Sequence, residues 1–294
     1  MAGSSGFLGR HLLARLRADG HAVDALVRRP PEAAEIQWDP YAHDAVARAT
    51  DAVADHDVIV NLAGAPLVGN PHSKRWAEAV RHSRVTTTRV LAEAIVSSGT
   101  TPAFLAGNGI SWYGDQGATE LTESAGTVGG SLLTHVTREW QAATEPAAAA
   151  GSRVVVLRTA PVFDRTSPPL KQLRLLFSLG LGGPIGDGRQ YFPVISLRDW
   201  IDGVVHLASS DVAGPANLCC PTTPTNAEFT KALAGLLHRP AFFRVPAPVI
   251  RVVAGPMAPE ALGSLRAVPA TLLDSGFAFS DPDVSAVLAT ALHR

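Results

Sequence analysis

The stretch Gly3-Ser4-Ser5-Gly6-Phe7-Leu8-Gly9 decides the reading of this chain. It leads into Leu8, Leu12, Leu13 and Leu16, an apolar stripe at helical spacing, with Gly20 placed as a C-terminal cap. Gly3 permits a tight turn, Gly6 lets the backbone approach a pyrophosphate, and Gly9 lets the helix pack closely on a sheet. The helix N-terminus then offers free N–H groups and partial positive charge to phosphate oxygens. Gly3, Ser4, Ser5, Gly6, Phe7, Leu8 and Gly9 are therefore expected to bind a dinucleotide cofactor.

Such a loop normally follows a buried apolar strand, yet only Met1 and Ala2 precede Gly3. The first strand of the expected sheet reads as truncated. Its loss is expected to leave ladder groups unpaired on both neighbouring strands.

Outward from the loop, strand-like and helical stretches alternate. Strands are expected at 22–27, 36–38, 58–62, 103–106 and 154–157, and helices at 75–98, 132–150 and 199–209. The alternation predicts an α/β fold, a Rossmann-type doubly wound parallel sheet with a smaller C-terminal α/β substrate lobe. Loop signals after Arg165 and prolines spread through the last third place the division: 1–165 with about 190–215 as the dinucleotide-binding domain, 166–189 and 216–294 as the lobe.

Composition narrows the function classes. Of the 294 residues 46% are hydrophobic and 17% charged, with a net charge of −1, which suits a buried globular core. No long run of one sign is present, so neither nucleic acid nor a membrane is expected as a partner; a small-molecule substrate is. No apolar stretch is long enough to span a bilayer. The two cysteines, Cys219 and Cys220, are adjacent; this excludes a disulfide framework and fits reduced thiols in the cytoplasm.

Arg28 and Arg29 follow the expected strand 22–27, where such a fold meets the adenosine ribose. An acidic residue there would favour NAD, whereas arginine pairs with the 2′-phosphate of NADP, so NADP is expected over NAD. Leu62, Ala63 and Gly64 close the strand 58–62 at the edge where ligands bind in parallel sheets.

With these motifs in view the chain resembles the extended short-chain dehydrogenase/reductases, the NAD-dependent epimerase/dehydratase superfamily. Within it, the chain resembles the "epimerase family" branch that carries a C-terminal domain of unknown function. The resemblance rests on Gly3 to Gly9, Arg28-Arg29-Pro30, Asn61 to Gly64, Arg75-Trp76 and Ser83-Arg84-Val85. Trp112 to Asp115, Glu139-Trp140, Leu157-Arg158-Thr159, Gly188-Arg189-Gln190, Thr225 to Phe229, and Pro269 through Phe279 continue it. It implies a Rossmann domain with the cofactor across its strand ends, Thr159 on the nicotinamide side, and a homodimer through helices 75–98 and 132–150.

It also implies a catalytic tyrosine with a lysine four residues on, because a phenol is a poor base at neutral pH without a nearby cation. No such pair exists: Tyr41, Tyr113 and Tyr191 all lack a lysine at that spacing, and Leu132 and Val136 stand where the pair belongs. The orienting serine is replaced by Asn108. Remaining catalytic candidates are Asn108, Ser111, Tyr113 and His135, with Asp115 and Glu123 nearby, and Arg189 and Tyr191 are candidates for substrate binding. The ten histidines show no metal-binding spacing, so no metal is expected, and no G-x-S-x-G elbow is present. The expectation is an NADP(H)-binding oxidoreductase or epimerase-like enzyme. Redox-neutral chemistry on the same scaffold, or a dinucleotide sensor without catalysis, are the alternatives.

Overall fold

A computed structural model of the chain describes residues 1–241 and 243–293. It resolves into two compact units, Met1–Asn108 with Val136–Leu157 and Val204–Pro215, and Gly109–His135 with Arg158–Gly203 and Ala216–Arg294. The second unit takes in 109–135, 158–165 and 190–203, which the texture of the sequence assigns to the dinucleotide-binding part.

The first unit is built on a parallel sheet. Val58–Asn61 pairs in parallel with Ala103–Gly109, and Val154–Thr159 and Gly214–Leu218 continue that order. Ala25–Val27 pairs in parallel with Glu35–Gln37. Ala2 joins the two sets by bridging to both Leu26 and Asn61. Its N–H donates to Val60 at 2.8 Å, its carbonyl accepts from Leu62 at 3.0 Å, and Met1 accepts from Leu26 at 2.8 Å. The first strand is thus present only as a bridge of two residues, which joins its neighbours at Leu26 and at Val60 to Leu62, beside the glycine loop.

Helices Phe7–Ala18, Ala45–Ala54 and Lys74–Ser98 make the crossovers. The last ends where Gly99 turns left-handed at φ 68° and donates to Val96. Leu91, Ile95, Phe104 and Val156 belong to one buried core with Ala2. The single helix expected at 132–150 is two, Leu132–Ala142 and Glu145–Ala149. Pro146 explains the break, because it has no N–H to continue the ladder and suits only a first turn.

The second unit holds short parallel pairs, Glu120–Leu121 with Arg266–Ala267 and Val162–Phe163 with Ile195–Ser196. Helix Asn226–Leu237 opens on a capping box, in which Thr225 and Glu228 satisfy each other's backbone N–H groups. Phe163, Phe177, Phe229, Leu233 and Leu288 form its core. Cys219 and Cys220 are buried and unlinked.

Candidate functional site

At two positions, Gly3 and Gly9, the loop has room for nothing larger than glycine. Gly3 sits at φ +82°, and a Cβ there would stand 2.5 Å from the carbonyl carbon of Leu62. A Cβ on Gly9 would stand 2.0 Å from the carbonyl oxygen of Gly3. The turn is closed by Gly6 N–H donating to Gly3 at 3.1 Å. Helix Phe7–Ala18 has no side-chain cap and no acid in its first turn. Its first N–H groups thus face outward with their partial charge uncancelled, the condition for an anion site.

The two arginines after Ala25–Val27 differ. Arg29 donates to Glu35 at 2.7 Å and lies 3.4 Å from Glu32. Backbone and Arg29 hydrogen bonds hold the Glu35 carboxyl below its usual range. Arg28 is exposed at the strand end.

Behind Leu62-Ala63-Gly64 lies a polar layer that the sequence does not announce as a site. Asn61 accepts from the Ala63 N–H at 3.1 Å and donates to Thr88 at 2.9 Å, and the Trp140 indole donates to the same hydroxyl at 2.8 Å. Arg84 donates to the carbonyls of Ala65 and Val80, both at 3.0 Å, and its guanidinium lies 5.3 Å over the Trp140 ring. Burial pushes Arg84 down to about 10, so it stays charged at neutral pH. A Cβ on Gly64 would come within 3.1 Å of that guanidinium. The available signal was polar residues, Ser83, Thr87 and Thr88, on the same buried side of helix Lys74–Ser98 as Leu91 and Ile95.

Asn108 is buried and its amide donates to the Thr137 carbonyl at 3.1 Å. In the second unit Tyr113 is fully enclosed, donating to Asn217 at 2.8 Å and accepting from Arg158 at 2.9 Å. Arg158, 1% exposed, stacks 3.6 Å over Trp112. Burial pushes the Tyr113 phenol up to about 12 and lowers Arg158, so loss of water outweighs their mutual attraction on both sides. Both candidate residues, Tyr113 and Asn108, are thus buried and hydrogen-bonded within the protein. Thr159 accepts from the Trp200 indole at 3.2 Å, His135 is exposed, and Arg189 is exposed beside Asp187. The Tyr191 ring lies under Arg266 at 5.5 Å, on the rim of a cavity of about 980 Å³.

Ser111 is drawn into a cluster invisible in sequence. Its hydroxyl donates to Glu260 at 2.5 Å, and the Ser131 hydroxyl donates to the other oxygen at 3.1 Å. Thr134 hydrogen-bonds Ser131 and donates to the Ser111 carbonyl. Burial raises the Glu260 carboxyl above its ordinary value, while the two hydroxyls oppose the rise. A carboxyl so placed can hold a proton and pass it through a serine hydroxyl. Sequence separations of 149 and 129 residues hide this pairing. Among the described residues no group of His, Cys, Asp and Glu has the arrangement to hold a metal.

Residues 1–219 match the NAD dependent epimerase/dehydratase family. The chain belongs to that family. Residues 245–291 of this epimerase-family chain match a domain of unknown function, DUF1731, so Glu260 comes from that segment. The family chain is 36% identical over 297 residues to epimerase family protein ML0860 of Mycobacterium leprae, covering 100% of this chain and 95% of that protein. It is 33% identical over 295 residues to human epimerase family protein SDR39U1, covering 98% and 97%. The crystal structure of human SDR39U1 (isoform2) with NADPH superposes with a TM-score of 0.85 at 29% identity over 99% of this chain and 97% of that one. A nucleoside-diphosphate sugar epimerase from Corynebacterium glutamicum superposes at 0.80 with 33% identity, over 99% of this chain and 57% of that one.

Proposed function

We propose that this chain binds NADP(H) and acts as an oxidoreductase or epimerase-like enzyme on a small molecule, with a carboxyl–hydroxyl cluster doing the work of the absent tyrosine–lysine pair. The observation that carries the reading is the glycine cradle, in which added Cβ atoms at Gly3 and Gly9 would collide with backbone. Gly3 to Gly9 would hold the pyrophosphate. Arg28 would meet the 2′-phosphate, since Arg29 already serves Glu32 and Glu35. Leu62, Ala63 and Gly64, backed by Arg84, would line the cofactor at the strand ends, with Thr159 on the nicotinamide side. The bound nicotinamide would supply a hydride donor or acceptor.

The NADPH carried by human SDR39U1 supports the choice of cofactor. So does the lack of an acid at the end of Ala25–Val27. Glu260 would keep or release a proton through Ser111 or Ser131, and burial, which raises its carboxyl above the ordinary value, favours the form that holds the proton. Tyr113 would be a structural residue. Cys219 and Cys220, buried and unlinked, fit the reducing conditions of a cytoplasm.

Calorimetric titration with NADPH and NADH tests the cofactor. Binding of NADPH well ahead of NADH is expected; failure to bind either overturns the reading. One observation favours a redox-neutral variant: the cluster that remains moves protons only. Turnover of a substrate with no net change in nicotinamide absorbance would select it.

A further inference from the structure

The chain's charge is balanced overall but not locally. Residues 165–186 carry Arg165, Lys171 and Arg174 with no acid, and residues 229–259 carry Lys231, Arg239, Arg244 and Arg251 with no acid. These two stretches also hold most of the large apolar side chains left in water. Leu179 is 63%, Leu181 61%, Phe243 75% and Val252 74% exposed.

The structure stitches the stretches together. Val245 N–H donates to Pro184 at 2.9 Å and Gly186 N–H donates to Val245 at 2.9 Å. Helix Pro168–Ser178 buries Leu170 and Phe177 on one side, which leaves Lys171, Leu175 and Ser178 on the other. Helix Ala247–Ala254 buries no residue at all, and Val249, Val252 and Val253 form a stripe beside Arg251. Lys171, Arg174, Ser178 and Arg239 line a concavity of about 330 Å³ together with Leu175 and Leu237.

We infer that this face docks on an anionic phospholipid bilayer, its leucines and valines entering the acyl boundary and the Lys171–Arg174–Arg239 concavity taking a headgroup phosphate. Exposed aliphatic residues beside a concavity whose lining holds Lys171, Arg174 and Arg239 and no acid have the composition of an interfacial surface. Charge decides between occupants. A second copy of the same face would set cation against cation, and a nucleic acid would meet leucine and valine where it needs polar or stacking partners. The inference is independent of the cofactor reading. It departs from the expectation drawn from net charge, which does not register cationic stretches offset by acids elsewhere. It calls for no spanning segment, and among the described residues no helix is long and apolar enough for one.

Co-sedimentation of the full chain with vesicles of phosphatidylcholine, alone or mixed with phosphatidylglycerol, tests it. The protein is expected to pellet with the mixed vesicles only, and to be released by about 0.5 M salt. Lys171→Glu with Arg174→Glu, and separately Leu179→Asp with Val252→Asp, are each expected to weaken that binding by roughly tenfold or more. Unchanged thermal melting would show both variants folded, since these side chains are exposed or half-exposed. Equal pelleting with phosphatidylcholine alone, or no response to either double substitution, would overturn the inference. So would competition by inorganic phosphate at low concentration, which would make the concavity a soluble-phosphate site, or a dimer in light scattering that Leu179→Asp with Val252→Asp abolishes.

Discussion

Gly9 and Gly3 are in backbone contact across the first turn of the loop, so that a methyl group on residue 9 would overlap the Gly3 carbonyl oxygen at 2.0 Å. The overlap is with main chain, which cannot rotate away. Gly9→Ala is therefore expected to cost about 1–3 kcal/mol of stability, as other overpacked sites do, and to remove NADPH binding. Gly126→Ala is the control, since Gly126 has open space around it and no left-handed backbone. Thermal melting and calorimetry on the two variants check this.

Arg28 and Arg29 should separate in a cofactor titration. Arg28→Ala is expected to weaken NADPH by about tenfold to a hundredfold while leaving NADH nearly unchanged, the span of a lost hydrogen-bonded ion contact of about 1.5–3 kcal/mol. Arg29→Ala should shift NADPH affinity far less. Equal losses for both cofactors would remove Arg28 from the 2′-phosphate role.

Tyr113 gives a pH signature. Its phenol titrates near 10 when unfolded and is pushed up to about 12 in the folded protein, chiefly by burial. The neutral form is thus the one the fold favours. Its contribution is fully present below pH 10 and drains away as pH rises from about 10 to about 12. Tyr113→Phe should flatten the fall in melting temperature over that window. At neutral pH it should destabilise by about 1–3 kcal/mol, because Asn217 and Arg158 lose a buried partner. A variant that melts like the parent at neutral pH would contradict the hydrogen-bonded burial described here.

Glu260 sets stability against activity. Its folded pKa is raised above the ordinary 4.5, so the protonated form is favoured in the fold, and stability falls as pH climbs through the folded value. Glu260→Gln keeps the shape without the charge. It is expected to raise the melting temperature at neutral pH, to change it little near pH 4, and to abolish turnover of any substrate found. Ser111→Ala and Ser131→Ala should each raise the Glu260 pKa further, moving the acidic limb of the pH–rate profile upward. A profile that ignores both serines would detach the cluster from catalysis.

The reach of sequence reading can be judged residue by residue. Gly3, Gly6 and Gly9 announced the loop because the demands on them are local: positive φ, close backbone approach, and a helix directly behind. The strands around 25–27, 35–37, 58–61, 103–109 and 154–159 were legible from their apolar runs, whereas Gly214–Leu218 and the two-residue strands were not. Pro146 divided a helix that periodicity alone ran through, and Ala2 bridges the strands on either side of it at one position each. That Tyr113 and Asn108 are buried was not legible, because exposure is a property of everything packed around a residue and is not written next to it.

By itself, then, the sequence determined the α/β architecture, the glycine-rich turn before a helix, arginines rather than an acid after the strand Ala25–Val27, and the absence of a tyrosine–lysine pair. These follow from backbone conformation and from spacing along a few consecutive residues. Only the tertiary structure decided that Glu260 meets Ser111 and Ser131, that Arg84 lies buried against Trp140 behind Gly64, and that two acid-free stretches are tied by backbone hydrogen bonds between Pro184, Gly186 and Val245. Each of those is a contact between residues far apart in the chain. The free energy of burying and pairing a charge depends on which distant groups the fold delivers to it, and no local pattern encodes that.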